Sequence, residues 1–290
     1  MSAVLRTQGL GRRYGHLQAL ADCTLSIPAR HVAGLVGPNG AGKTTLLNLA
    51  VGMLAPTSGT IEVTGAKPGN SPAQLAKVGY VAQDTPTYAQ LSIADHLRLG
   101  AHLNPGWDAA LARDRIQRLG LDPAQRAGKM SGGQRAQLAL TLAMAKKPEL
   151  LILDEPIASL DPLARRQFLE NLAEFTAARQ VSVVMSSHLV GDLERVCDYL
   201  IVLVASRIQA AGLVSDLLAS HRILAGASRD LASLPAGWQV ISASHAGGHS
   251  TLVVHTGGPD HHPAWPGSPP GLEDLVLAYM SRATGSQAQR

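Results

Sequence analysis

The chain has 290 residues, enough for one large domain or two smaller ones, and 46% of them are hydrophobic, so a sizeable core can form. Aromatic residues make up only 3%, which leaves aliphatic side chains and alanine to fill that core. The formal charge is +4 and the pI near 9.3, but no dense Lys/Arg block concentrates that charge, so a nucleic-acid footprint is not expected.

No apolar run approaches the roughly 18 residues of a membrane-spanning helix. The longest, 199–205, has strand length. Residues 1–10 lack the pattern of a secretory leader. Cys23 and Cys197 are far apart and without metal-ligand spacing, which predicts two free thiols in a reducing compartment.

Residues 3–30 read as three short strand-like pieces, 3–7, 14–20 and 23–28. Tyr14 could stack on a nucleotide base, or it could be a half-buried strand tyrosine. The run 31–36 suits a buried strand, and Leu46, Leu47 and Ala50 lie at helical spacing before Gly52. Between them stand Gly37, Pro38, Asn39, Gly40, Ala41, Gly42, Lys43, Thr44 and Thr45, the phosphate-loop pattern G-x-x-x-x-G-K-[ST] on the required strand–helix flanks. Glycines let the backbone approach an anion, loop N–H groups and the helix N-terminus point positive partial charge at phosphates, and Lys43 adds a full charge. The Thr44 hydroxyl can ligate Mg²⁺.

Residues 60–64 predict an alternating strand, 67–72 a loop, and 78–83 another strand with Gln83 at its end. The Gln83 amide oxygen could meet a metal or orient a water, or simply face solvent. Over 84–130 the period turns helical, with a break at Asn104-Pro105-Gly106, as in a helical insertion within an α/β core. Ser131 and Gln134 have capping-box spacing and open a helix that Pro148 ends. This is either a well-capped helix and nothing more, or, through its glycine-rich N-terminus with Gly133, an anion site.

Leu150–Leu153 suits a buried parallel strand, and Asp154 and Glu155 sit at its carboxyl end, where open α/β sheets bind ligands. Asp154 could hold Mg²⁺ and Glu155 could polarise water. Asp161 and Pro162 open a further helix, and the strand 181–185 leads to His188, a γ-phosphate contact or a structural hydrogen-bonder. Residues 199–209 predict a last strand pair. Beyond 213 the composition shifts to Gly, Ser, His and Pro. Strands are expected at 238–241 and 251–255, a linker at 263–271 and a short helix at 271–280. Six of the eleven histidines lie there, including His261-His262, without the spacing of a structural metal site.

Taken together, these motifs resemble the nucleotide-binding subunit of ATP-binding-cassette (ABC) transporters over roughly residues 3–212. Gly37–Thr45 resembles the Walker A loop, Gln83 the Q-loop glutamine, Met130–Gln134 the signature motif and Leu150–Glu155 the Walker B strand. Ser159–Asp161 resembles the D-loop and His188 the switch histidine, and Tyr14 then falls at the adenine-stacking aromatic. The resemblance implies an α/β P-loop fold. A mixed β-sheet core would carry an antiparallel β subdomain and a helical subdomain at about 84–147, followed by a small α+β extension over 213–290. It implies ATP and Mg²⁺, with Glu155, His188, Lys43 and Gln83 catalytic and Thr44, Gln83 and Asp154 at the metal.

It also implies a head-to-tail homo- or heterodimer, in which Ser131, Gly133 and Gln134 face the other subunit's nucleotide. Separate membrane permease subunits would hold the chain at the cytoplasmic face of the membrane. Met130 stands where leucine is usual, Ile157 where threonine is common, and Arg30 and Ser206 at frequent turn glycines. The stretch 104–108 and the short tail resemble ATPases of ABC-2-type bacterial exporters. The alternative is a soluble cassette ATPase acting on ribosomes, DNA or an assembly machinery.

Overall fold

Four apolar residues in a row, Leu150–Leu153, leave a strand no face for water, and all four are fully buried in the centre of the protein. The computed structural model describes residues 2–227, 234–235, 237–257 and 267–287.

The chain begins with β1 (Ala3–Tyr14) and β2 (Leu17–Pro28), a long antiparallel hairpin in place of the three short pieces expected. Register shifts between Thr7 and Leu10 and between Leu10 and Arg12 break the alternation that would have revealed it. Then come β3 (Val32–Val36), α1 (Lys43–Ala50), β4 (Ser58–Val63), a short α2 (Pro72–Ala76) and β5 (Val78–Val81). The helical stretch that follows holds α3 (Ile93–Leu103), α4 (Ala109–Arg118) and α5 (Gly132–Ala145). The chain re-enters the core through β6 (Leu150–Leu153), α6 (Pro162–Arg179), β7 (Ser182–Ser187), α7 (Val190–Leu193), β8 (Tyr199–Val204) and β9 (Arg207–Leu213). It ends with α8 (Val214–Ala219), β10 (His221–Ala227), β11 (Gln239–Ala246), β12 (His249–His255) and α9 (Leu272–Gln287).

The central sheet has the order β5-β6-β7-β3-β8-β9, parallel except for β9. Its strands send alternate side chains to opposite faces. Leu151, Leu153, Val183 and Met185 meet α5, α6 and α9 on one side. Leu150, Ile152, Val184 and Ile201 meet α1 and the antiparallel sheet β2-β1-β4 on the other. The helices α3, α4 and α5 enclose a smaller core of their own around Ile93, Ile116 and Leu138.

A third sheet, β10-β12-β11, follows the central one. Its strand β10 went unread because H-R-I-L-A-G-A has little β-branched alternation. The helix α9 runs past Met280, where the sequence reading stopped it. Leu272, Leu275, Val276 and Tyr279 of α9 join the main core beside Ile241 and Val253, so the tail packs on the rest of the chain. His261-His262 and most of the expected linker lie outside the described residues. Arg30 and Ser206, at φ 68° and 65°, do occupy left-handed turn positions of the kind glycine favours.

Candidate nucleotide site

Parallel register brings the expected residues together. Val81 pairs with Leu153, Leu153 with Met185 and Val36 with Ser187, so β5, β6, β7 and β3 release their chains at one edge of the sheet. Gln83, Asp154-Glu155, His188 and the phosphate loop therefore emerge side by side. A cleft of about 500 Å³ opens there, lined among others by Tyr14, Asn39, Gly40, Gly42, Lys43, Thr44, Thr45, Gln83, Glu155 and His188.

The loop can curl this tightly only with glycine at two points. A Cβ at Gly37 would collide with the Leu203 carbonyl oxygen, and one at Gly42, already at φ 108°, would collide with that of Ala19. Lys43, buried to 5% exposure, turns back into the loop and donates to the Gly37 carbonyl at 2.9 Å and the Pro38 carbonyl at 3.4 Å. Its Nζ also lies 3.3 Å from Glu155 Oε1. The other Glu155 oxygen, Oε2, is 3.0 Å from His188 Nδ1. One carboxylate thus links the loop cation to a half-exposed imidazole across the cleft.

Glu155 holds φ 44°, a conformation that costs a non-glycine residue about 1–2 kcal/mol. Ser186 secures it. The Ser186 hydroxyl accepts the Glu155 N–H at 2.8 Å and donates to Asp154 Oδ1 at 2.7 Å. Ser186 was not among the expected site residues. A hydroxyl two residues before a strand-end histidine, on the strand next to an Asp-Glu pair, is the signal that would have found it.

Asp154 is 1% exposed and stands behind the cleft lining. Of the three expected metal ligands, Thr44 and Gln83 line the cleft and Asp154 does not. Gly37, Pro38 and Ala41 do not line the cleft; the Gly37 and Pro38 carbonyls hold Lys43, and Ala41 is buried. Tyr14 lines the cleft while the Arg12 guanidinium lies 4.8 Å from its ring centre, a cation–π contact that orients the ring.

Ser131, Gly133 and Gln134 are not part of this cleft. They form the expected capping box: Ser131 Oγ accepts the Gln134 N–H at 3.2 Å, and Gln134 Oε1 accepts the Ser131 N–H at 2.9 Å. The N-terminus of α5 is therefore capped by its own side chains and half-exposed.

Residues 20–158 match the family model for ABC transporters. The thiamine import ATP-binding protein ThiQ of Salmonella typhimurium is 34% identical over 205 residues, covering 68% of this chain and 86% of ThiQ. The chain belongs to the ATP-binding proteins of ABC transporters. The molybdenum import ATP-binding protein ModC of Rhodobacter capsulatus is 33% identical over 242 residues, 81% of this chain, which spans 66% of ModC's length. Among solved structures, an ATP-binding subunit of an ABC transporter superposes with a TM-score of 0.66 at 28% identity, covering 74% of this chain and 91% of its own. The fold is that of the ABC ATPase cassette, and the activity of the family is ATP hydrolysis coupled to transport. Both named relatives are import proteins, so they lend no support to the exporter subtype expected from residues 104–108. No helix among the described residues is long and apolar enough to cross a membrane.

Proposed function

We propose that this chain binds Mg-ATP in the cleft and hydrolyses it to drive a membrane transporter whose permease is a separate protein. The observation that carries this reading is the meeting of Lys43, Glu155 and His188 through one carboxylate at the mouth of the phosphate loop.

Each residue has a task that follows from its chemistry. Tyr14 offers an aromatic face to the base. The loop N–H groups and Lys43 cradle the β- and γ-phosphates. Thr44 and Gln83, with Asp154 behind them, have the hard oxygen donors that suit Mg²⁺, which when bound would neutralise phosphate charge. Glu155 orients and polarises the attacking water, held in place by Ser186. His188 steadies the developing charge on the γ-phosphate.

Ser131 at the N-terminus of α5 acts in trans. In a head-to-tail dimer it would face the partner's triphosphate, and dimer closure and reopening would pass through the helical region to the permease. In this scheme the protein works at the cytoplasmic face of the membrane. The divisions at residues 84, 147 and 212 fit this scheme as a helical transmitter within a cassette, followed by an appended tail. The names of ModC and ThiQ weigh toward import and residues 104–108 toward export, and the permease sets the direction.

The Glu155→Gln variant tests the proposal. It should bind ATP, form dimers on size-exclusion chromatography only with ATP present, and turn over at no more than a hundredth of the normal rate. Undiminished hydrolysis refutes the role of Glu155. Affinity capture from detergent-solubilised membranes should recover an integral membrane protein. Recovery of ribosomes or DNA instead supports the soluble alternative.

A further inference from the structure

The loop between Gln83 and α3 leaves the cleft and must return to the helices with its backbone satisfied. From Gln83 to Tyr88, two backbone N–H bonds hold it among the described residues. Thr85 donates locally to the Ala82 carbonyl at 2.9 Å, and Tyr88 donates to His96 Nε2 at 3.0 Å. The next ties come after Tyr88, from Ala127 and Gly128 to the carbonyls of Leu91 and Ala89. His96 is therefore the first fixed point that the loop reaches on α3 after leaving Gln83.

The partners dictate the state of this ring. Ser92 O can only accept, so His96 Nδ1, 2.8 Å away, carries the proton. The Tyr88 N–H can only donate, so Nε2 is the bare acceptor. The ring is 4% exposed and sits one turn into α3, a helix whose start is fixed by the reciprocal Ser92–Asp95 capping box. A rigid helix thus presents one lone pair to the loop, and the Tyr88 ring lies over the same imidazole at 6.1 Å.

We propose that His96 is a positioning residue for ATP hydrolysis: its Nε2 anchors the loop at Tyr88 and so sets where Gln83 stands in the cleft. The proposal rests on the ATPase reading above. It separates the two edges of the imidazole, because only the Nε2 edge touches the loop while the Nδ1 edge serves α3.

Two near-isosteric substitutions test that separation. His96→Gln places an amide acceptor near the Nε2 position, and His96→Asn places its amide near Nδ1 and falls short of Tyr88. The Gln variant should keep kcat within about twofold. The Asn variant should lose about five- to tenfold in kcat with the KM for Mg-ATP little changed, the size expected for one lost hydrogen bond. Amide hydrogen exchange at Tyr88 should be slow in the natural protein and in Gln, and fast in Asn. Equal rates for the Asn and Gln variants, or a Tyr88 amide as protected in Asn as in the natural protein, overturn the inference. A natural protein that hydrolyses no ATP overturns the ATPase reading itself, and the exchange measurement then still reports whether His96 anchors the loop.

Discussion

Polar groups are buried in many parts of this protein, and two of those places do so to opposite effect. At the cleft, Lys43 and the adjacent pair Asp154-Glu155 come from segments far apart in sequence. They meet at strand ends, with Glu155 in a left-handed backbone conformation and His188 half-exposed beside it. In the C-terminal extension, His221 is 1% exposed, donates through Nδ1 to the Leu217 carbonyl at 2.6 Å and accepts the Tyr279 hydroxyl through Nε2 at 2.9 Å. The His255 ring lies tilted against it, 4.8 Å between ring centres. In this second cluster the groups are tied to one another and to backbone by hydrogen bonds and ring contacts, and no ion pair is seen among its described residues. Burial of polar atoms therefore does not by itself distinguish a reacting site. Charge, backbone strain and an open approach do so together.

Substitutions can break that contrast, and the largest effect belongs to the cleft. Besides Glu155→Gln, Lys43→Ala should weaken ATP binding by at least about tenfold, because it removes a full charge from the phosphate cradle. Unchanged nucleotide affinity by calorimetry would leave the cradle without its main cation.

Ser186→Ala comes next. It strips one hydrogen bond from a buried carboxylate and one from a strained backbone, so stability should fall by about 1–3 kcal/mol and kcat should fall with it. Denaturant unfolding and steady-state kinetics on the same variant measure both. A stability loss with normal turnover would reduce Ser186 to a packing residue.

The smallest effects belong to the extension. Tyr279→Phe should cost about 1 kcal/mol in stability and leave ATP hydrolysis unchanged. Burial first, and then the nearby His255, holds the His221 pKa below its ordinary 6.5, against the opposing hydrogen bond to Leu217. The neutral form is thus favoured in the folded state. Its stabilisation is complete above pH 6.5 and is lost as the pH falls from there through the lowered folded value. Melting temperatures from pH 7.5 down to 5 should show that decline, and His221→Gln should flatten it. The same decline in the Gln variant would assign it to other groups.

Much of the cleft was legible before any fold was known. A phosphate loop must be rich in glycine and carry Lys43 and Thr44, and a strand entering the middle of a sheet must read as Leu150–Leu153. These are local requirements, written in consecutive residues. The long β1–β2 hairpin was not legible, because its bulges interrupt the period of two on which strand reading depends. Nor was β10, where weak alternation gave no signal.

The sequence alone determined that this chain carries a glycine-rich loop of phosphate-loop pattern, an acidic strand end and a capped helix at Ser131, because each is specified within a few neighbouring positions. Only the tertiary structure decided that Ser186 holds Asp154 and Glu155 together, that Asp154 stands behind the cleft, and that His96 meets the backbone of Tyr88. Those contacts depend on strand register and on the docking of α3. Both are set by packing across the whole chain.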